Sequence, residues 1–279
     1  MKYTALSLFP DIIDAFMRHS IMAKAIERGL VAYQSVNIRD FAFDRHKVCD
    51  DAPYGGGAGM LMLPEPVGRA LEYVGVKNRF ESRPLSGGRD GDEETVVAPA
   101  VASAVKKRVV YLTPSGRSFT QAVAHGLAAE QELVLLCGRY EGMDQRIIDA
   151  YVDDEISVGD YVLSSGEVAA LVVIDATYRL VEQVISPLSL EEESFGRGLL
   201  EYPQWTRPEK YGTLKAPDIL LSGHHENIRR WRLRKQVEKT LAFRPDLIKK
   251  GLEEHRFDAE TRKIIDDIAE MQRGEDERN

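Results

Sequence analysis

The chain is poor in cysteine, in tryptophan and in long apolar runs. Of its 279 residues, two are cysteine (Cys49 and Cys137) and two are tryptophan (Trp205 and Trp231). Neither cysteine stands in a C-x-x-C pair or a Cys/His zinc spacing. That excludes a disulfide framework and argues against a structural zinc site. Two lone thiols fit a reducing cytoplasm. No stretch reaches the roughly 18–20 apolar residues that span a bilayer. The apolar start, Tyr3 to Leu8, is too short for a signal peptide, and Pro10 follows at once. A cytoplasmic protein without a membrane is therefore expected. A block of one charge sign is missing too. Lys plus Arg number 37 against 45 Asp plus Glu, a net charge of −8 spread along the chain. This argues against non-specific coating of nucleic acid. It leaves local basic patches open, because fields act within a Debye length of about 8–10 Å.

Hydrophobic residues make up 43% of the sequence, enough to bury a large core in one big domain or two smaller ones. Short β-like runs alternate with helical patterns. Tyr3–Leu8, Gln34–Arg39, Arg108–Leu112 and Leu133–Cys137 read as strands. Helices are expected after Pro10, from a cap at Ser20 to Gly29, from Pro64 to Leu71 and from Phe119 to Ala129. This alternation predicts an α/β fold with a mostly parallel sheet covered on both faces. Asn78–Lys107 reads as a surface insertion. Ser186–Gly198, with a proline, three consecutive glutamates and two glycines, reads as a linker. Beyond Tyr202 the pattern is helical with no strand. The expected division is 1–185, a flexible linker over 186–201, and a helical domain over 202–279.

Four glycines crowd Asp50-Asp51-Ala52-Pro53-Tyr54-Gly55-Gly56-Gly57-Ala58-Gly59-Met60. The spacing is neither a P-loop nor a dinucleotide fingerprint. Three further loops follow candidate strands: Thr113-Pro114-Ser115-Gly116, Gly138-Arg139-Tyr140-Glu141-Gly142 and Val158–Glu167. Ligands of open α/β sheets bind beyond the carboxyl ends of strands, so three such loops predict one crevice for an adenosine-like ligand. From His225 to Arg244 a basic helix is expected. Leu233, Val237 and Leu241 form its buried face, and Arg232, Lys235 and Lys239 its opposite face toward phosphates. Trp231 is expected to pack rather than stack on a base. Ile264, Ile265, Ile268 and Met271 form a last apolar stripe.

Several of these segments resemble the bacterial tRNA (guanine-37-N1)-methyltransferase family. They include Ser7-Leu8-Phe9-Pro10, Arg39-Asp40-Phe41, Pro53–Gly57, Cys137–Gly142, Gly159–Ser164, Ser194-Phe195, Tyr202–Pro208 and Leu221–His225. The resemblance runs from about residue 3 to about 240, leaving out the insertion after Asn78. It implies a SPOUT-type sheet, a deep trefoil knot, S-adenosylmethionine held within the knot, and a homodimer acting on tRNA. By matching motif residues it places the methyl donor against Tyr111, Leu112, Thr113, Pro114, Ser115, Gly138, Glu141, Val158, Gly159, Tyr161, Leu163 and Gly166. The expected RNA contacts are Tyr54, Gly55, Gly56, Gly57, Gly59, Arg232, Lys235 and Lys239. Family members are helped by Mg²⁺, but no carboxylate cluster identifies a site for it.

Two polar residues are assigned to catalysis by the same resemblance. Arg179 matches the family's arginine. Glu193 stands directly before Ser194-Phe195, where the common pattern carries aspartate, and Glu192 is the alternative. The chemistry wants both groups. Guanine N1 carries a proton that a carboxylate must remove, and charge then builds on O6, where a guanidinium stabilises it. Two rival readings stand beside this one: a Rossmann-type enzyme using the Gly55–Gly59 loop, and a non-catalytic RNA-binding module built on the basic helix.

Overall fold

The computed structural model describes residues 1–80, 106–186, 189–190 and 193–276, with side chains as far as Met271. Most of the expected insertion and the alternative base Glu192 lie outside the described residues. The chain divides into two compact units, Met1–Ile185 and Ser186–Asn279.

The first unit runs β1 (Lys2–Ser7), α1 (Asp11–Met17), α2 (Ser20–Glu27), β2 (Ala32–Asn37), β3 (Asp50–Asp51), β4 (Leu61–Met62) and α3 (Pro64–Tyr73). It continues through β5 (Lys107–Ser118), α4 (Gln121–Ala128), β6 (Glu132–Cys137), α5 (Gln145–Tyr151), β7 (Asp154–Ser157) and α6 (Gly166–Tyr178). Five strands make one parallel sheet in the order β2-β1-β6-β5-β7. β3 and β4 form a separate antiparallel ribbon.

Side-chain alternation along the strands assigns successive residues to opposite faces. Val110, Leu112, Leu133 and Leu135 pack with α1, α2 and α6 residues such as Ile13, Met22 and Val173. Val109, Tyr111, Val134 and Leu136 pack instead with α3 and α5 through Val67, Leu71 and Ile147. β6 is buried along its whole length, as the centre of a doubly covered parallel sheet must be. A carboxylate at the start of β6 lies within this interior. Glu132 accepts a bond from the Thr4 hydroxyl at 2.8 Å and ion pairs from Lys2 at 3.1 Å and Lys107 at 3.2 Å.

Local departures from the sequence pattern have identifiable causes. The strand expected over Gln34–Arg39 ends at Asn37, whose side-chain oxygen accepts the Arg39 N–H and opens a 3₁₀ turn over Ile38–Phe41. Ser20 does not cap α2. It is the first helical residue, at φ +56°, and makes no capping side-chain bond. Thr113–Gly116 is no connecting loop. β5 continues through it to Ser118, and the register against β7 shifts between Leu112 and Arg117. The segment is thus a bulge inside a strand.

The second unit is not purely helical. A short hairpin, β8 (Lys210–Tyr211) with β9 (Leu214–Lys215), precedes α7 (Asp218–Leu221), α8 (His225–Phe243), α9 (Pro245–Glu253) and α10 (Ala259–Asp276). Gly212, at φ +61°, lies in its tight turn. Leu199, Val237, Ile248, Phe257, Ile265 and Ile268 form the core. Residues read from composition as linker join this unit. Leu199 is buried, the Leu200 N–H donates to Thr240 Oγ1 at 2.9 Å, and the Glu201 N–H donates to Ser194 Oγ at 3.0 Å. Met271, the end of the expected apolar stripe, is exposed, with its sulfur 3.7 Å from Arg234 Nη2.

Candidate functional site

The register of the sheet aligns its strand ends. Ser7 stands opposite Asn37, Leu6 opposite Leu136, and Leu112 opposite both Cys137 and Ile156. The chain after each strand therefore emerges on one edge. The Thr113–Gly116 bulge, the Gly138–Gly142 loop and the Val158–Glu167 loop are neighbours there.

Glycine is what lets them meet. The Gly166 N–H donates to the Gly138 carbonyl at 2.8 Å, and a Cβ on Gly166 would lie 2.6 Å from the Gly138 nitrogen and 2.9 Å from Cys137 Cα. A Cβ on Gly116 would lie 2.4 Å from the backbone nitrogen of Ile156. Gly138 faces the Tyr111 ring, where a Cβ would stand 3.0 Å away. The Tyr161 ring folds over Gly159, and its hydroxyl donates to the Val158 carbonyl at 3.2 Å. Ser157 Oγ, donating to the Gly159 carbonyl at 2.9 Å, fixes the start of the same loop.

The glycine-rich segment joins this edge from the side. Gly55, Gly56, Gly57 and Gly59 all have positive φ, a conformation that costs glycine little. The ribbon they close is stitched to the β6–α5 loop. The Glu141 N–H donates to the Met60 carbonyl at 3.0 Å, and the Met62 N–H to the Gly142 carbonyl at 2.9 Å. A Cβ on Gly59 would lie 2.3 Å from Glu141 Cγ. Tyr54, at the tip, is 98% exposed.

Not every expected donor contact presents a side chain. Tyr111 and Leu112 are buried in the two cores, so they offer backbone, and Tyr111 a ring face beneath Gly138. Thr113, Pro114, Ser115, Glu141, Val158, Tyr161 and Leu163 are half-buried or exposed. Thr113 and Ser115 hydroxyls bond each other at 2.9 Å. Open surface depressions lie beside Tyr33 and Asp14 and beside Arg108 and Arg117. The three loops converge on this edge, with the Tyr161 ring folded over Gly159.

One residue of this edge escaped sequence reasoning. Glu167, in the first turn of α6, is fully buried. Its Oε1 accepts the Ser7 hydroxyl at 2.5 Å, while Oε2 has no hydrogen-bond partner among the described residues. Its carboxylate adds to burial in pushing the neighbouring Cys137 thiol well above its ordinary range. The only signal in the sequence was a serine ending an apolar strand.

Arg179 closes α6 at its C-terminal cap, half-buried. That end is anchored to β1 by Thr177 Oγ1, 2.8 Å from the Tyr3 hydroxyl. Glu193, in the second unit, is half-buried rather than fully exposed. Among the described residues no group of three or more His, Cys, Asp or Glu could hold a metal ion.

The basic face of α8 differs from its helical-wheel reading. Leu233, Val237 and Leu241 do pack on the core. Arg232, however, is half-buried, with its guanidinium 4.8 Å from the Tyr202 ring centroid and its Nε buried without a hydrogen-bond partner among the described residues. Lys235 pairs with Glu238 at 2.6 Å. Lys239 alone of the three is exposed. Trp231 packs against Trp205, ring centroids 5.5 Å apart. The Tyr202 ring, from outside the helix, thus draws the arginine from the surface.

Residues 1–250 match the family model described as tRNA (guanine-1)-methyltransferase TrmD. A tRNA (guanine-N(1)-)-methyltransferase of Treponema denticola is 54% identical over 95% of this chain and 98% of its own length. The enzyme of that name from Borreliella burgdorferi is 52% identical over 91% of this chain and 95% of its own. The one from Treponema pallidum is 53% identical over 89% and 88%.

Proposed function

The chain belongs to the tRNA (guanine-1)-methyltransferase family, and from that premise we propose that it methylates N1 of guanosine 37 in tRNA with S-adenosylmethionine as donor. The observation that carries this reading is the convergence of glycine-bearing loops on the carboxyl edge of β6, β5 and β7. At Gly166 a side chain would collide with backbone, and at Gly138 it would press on the Tyr111 ring. Such a cradle suits a ligand held by backbone amides and carbonyls.

When bound, the donor supplies an activated methyl group on a sulfonium, so neither a metal nor a covalent nucleophile is required for the transfer itself. The protein's own groups do the rest. Gly138, Gly159 and Gly166 let the backbone approach the donor. Thr113, Ser115 and Glu141 stand ready for its hydroxyls and positive centre. Glu193 takes the N1 proton as the base is methylated, and the Arg179 guanidinium offsets charge growing on O6. The unit over residues 202–279 holds tRNA. Mg²⁺ assists without an assigned site. The crowded crossings at Gly116–Ile156 and Gly138–Gly166 are the reading's candidate for a deep trefoil knot. Ile12 of α1 and Val168 and Val172 of α6, apolar and exposed on neighbouring helices, would be covered in a homodimer. In the described residues no helix is long and apolar enough to cross a membrane.

The test is methyl transfer to unmodified tRNA transcripts bearing guanosine or adenosine at position 37. Incorporation into the guanosine transcript alone supports the reading. Incorporation into neither overturns it. Heat on titration with adenosylmethionine separates the enzyme from a pure RNA-binding module.

A further inference from the structure

Three adjacent strands, β2, β1 and β6, end in register, and the residues two places beyond their ends meet. These are Arg39, Phe9 and Arg139. The Arg139 guanidinium lies 4.8 Å from the Phe9 ring centroid and the Arg39 guanidinium 5.7 Å from it. The ring itself is partly exposed. Two cations thus share one aromatic mount on the sheet edge, beside the loops of the candidate donor site.

The mount is built to hold its place. The Phe9 N–H donates to Ser7 Oγ at 2.7 Å, and Ser7 Oγ donates to the buried Glu167 carboxylate. Arg39 is set by the Asn37 turn. Arg139 precedes Tyr140, a non-glycine residue at φ +59°, where backbone strain is a feature of functional loops. Burial and the nearby Asp50 push the Tyr140 hydroxyl above its usual range, with Arg39 pulling the other way. The phenol therefore sits among these groups.

Neither guanidinium forms an ion pair with a carboxylate among the described residues, whereas Arg79, Arg108, Arg117, Arg146 and Arg229 do. Two like charges on one ring repel, and the cation–π attraction, about 0.5–1 kcal/mol at an exposed site, offsets that only in part. An anion between them removes the conflict. A guanidinium binds phosphate through two parallel N–H bonds, and an aromatic face beneath keeps its plane fixed.

We propose that Arg39 and Arg139, mounted on Phe9, clamp a backbone phosphate of the RNA beside the reacting nucleotide. This rests on the tRNA-methyltransferase reading. The β6–α5 loop then serves both ligands, with Gly138 toward the donor and Arg139 toward the acceptor. Placing both on consecutive residues fixes the acceptor relative to the methyl group.

The test compares wild-type protein with Arg39→Ala, Arg139→Ala and Phe9→Leu. Wild-type methylation of the guanosine-37 transcript is measured first; its failure sinks the functional reading, not the clamp. Given that activity, each Arg→Ala variant should weaken tRNA binding roughly tenfold, the worth of one charge-assisted contact. Each should also lower the log–log salt slope by about 0.7–0.9. Phe9→Leu should weaken binding while keeping the slope, because no charge is lost. Arg139→Lys should restore the slope but not the full affinity. Adenosylmethionine affinity should hold in all variants. Unchanged tRNA affinity and slope in both Arg→Ala variants would overturn the clamp. So would a loss confined to adenosylmethionine affinity, since the anion would then be the donor's carboxylate.

Discussion

Gly166 and Gly138 are in backbone contact, the N–H of the first donating to the carbonyl of the second at 2.8 Å. The bond joins the start of α6 to the end of β6. It leaves no room for a side chain at residue 166, because a Cβ there meets the backbone of Cys137 and Gly138.

Gly166→Ala should therefore cost roughly 1–3 kcal/mol, the usual cost of overpacking, and weaken adenosylmethionine binding. Gly126 in α4 is the control, since a Cβ there meets nothing within 4 Å. Gly126→Ala should stabilise by about 0.5–1 kcal/mol through helix propensity alone. Urea midpoints for both variants check this. Equal midpoints would refute the claim that the crossing is tight.

Glu132 links stability to pH. Burial alone would raise its pKa, but the Thr4, Lys2 and Lys107 bonds outweigh that and hold it below the ordinary carboxylate value. Its contribution is present above the unfolded pKa of about 4.3 and is lost as pH falls through the lower folded value. Glu132→Gln should leave Lys107, 9% exposed, without its counter-charge. The expected loss is about 3 kcal/mol near neutral pH, shrinking in acid. Unfolding curves at pH 7 and pH 3.5 read the difference.

For the reaction, Glu193→Gln keeps size and hydrogen bonding but cannot accept a proton. Single-turnover methyl transfer should fall roughly 10²–10⁴-fold with both ligands still bound. Arg179→Ala should cost roughly 10²–10³-fold, and Glu193→Asp should stay active. Parallel kinetics of Glu192→Gln decide which carboxylate is the base. Loss there with an active Glu193→Gln protein reverses the assignment.

On α8 the three expected phosphate contacts should separate. Lys239→Ala should weaken tRNA binding and lower the salt slope by about 0.7–0.9. Arg232→Ala should chiefly lower the thermal stability of the helical unit, because its guanidinium lies over Tyr202. A salt slope lowered equally by Arg232→Ala and Lys239→Ala would restore the helical-wheel reading.

The parallel sheet was legible in the sequence because its strands are continuous apolar runs with period-2 packing, as at Leu133–Leu136. The loops at its edge were legible as glycine clusters. What composition could not convey was adjacency. Nothing in the residues said that Thr113–Gly116 would stay in the strand, or that Phe9 would stand between Arg39 and Arg139. Strand order sets both. Arg232 was misplaced for a related reason. A helical wheel knows the angle of a side chain, not that Tyr202 waits beside it. The β8–β9 hairpin, two residues a side, is too short to leave a periodicity.

The Trp205–Trp231 pair holds every tryptophan in the chain, and both lie in the second unit. Light absorbed at the red edge of the near-ultraviolet therefore addresses that unit alone, while the parallel sheet, with tyrosine and phenylalanine only, stays dark. The emission of the natural protein is thus a label already in place. Its change on adding tRNA or on heating dates events in the helical unit against those of the sheet, without any dye or engineered residue.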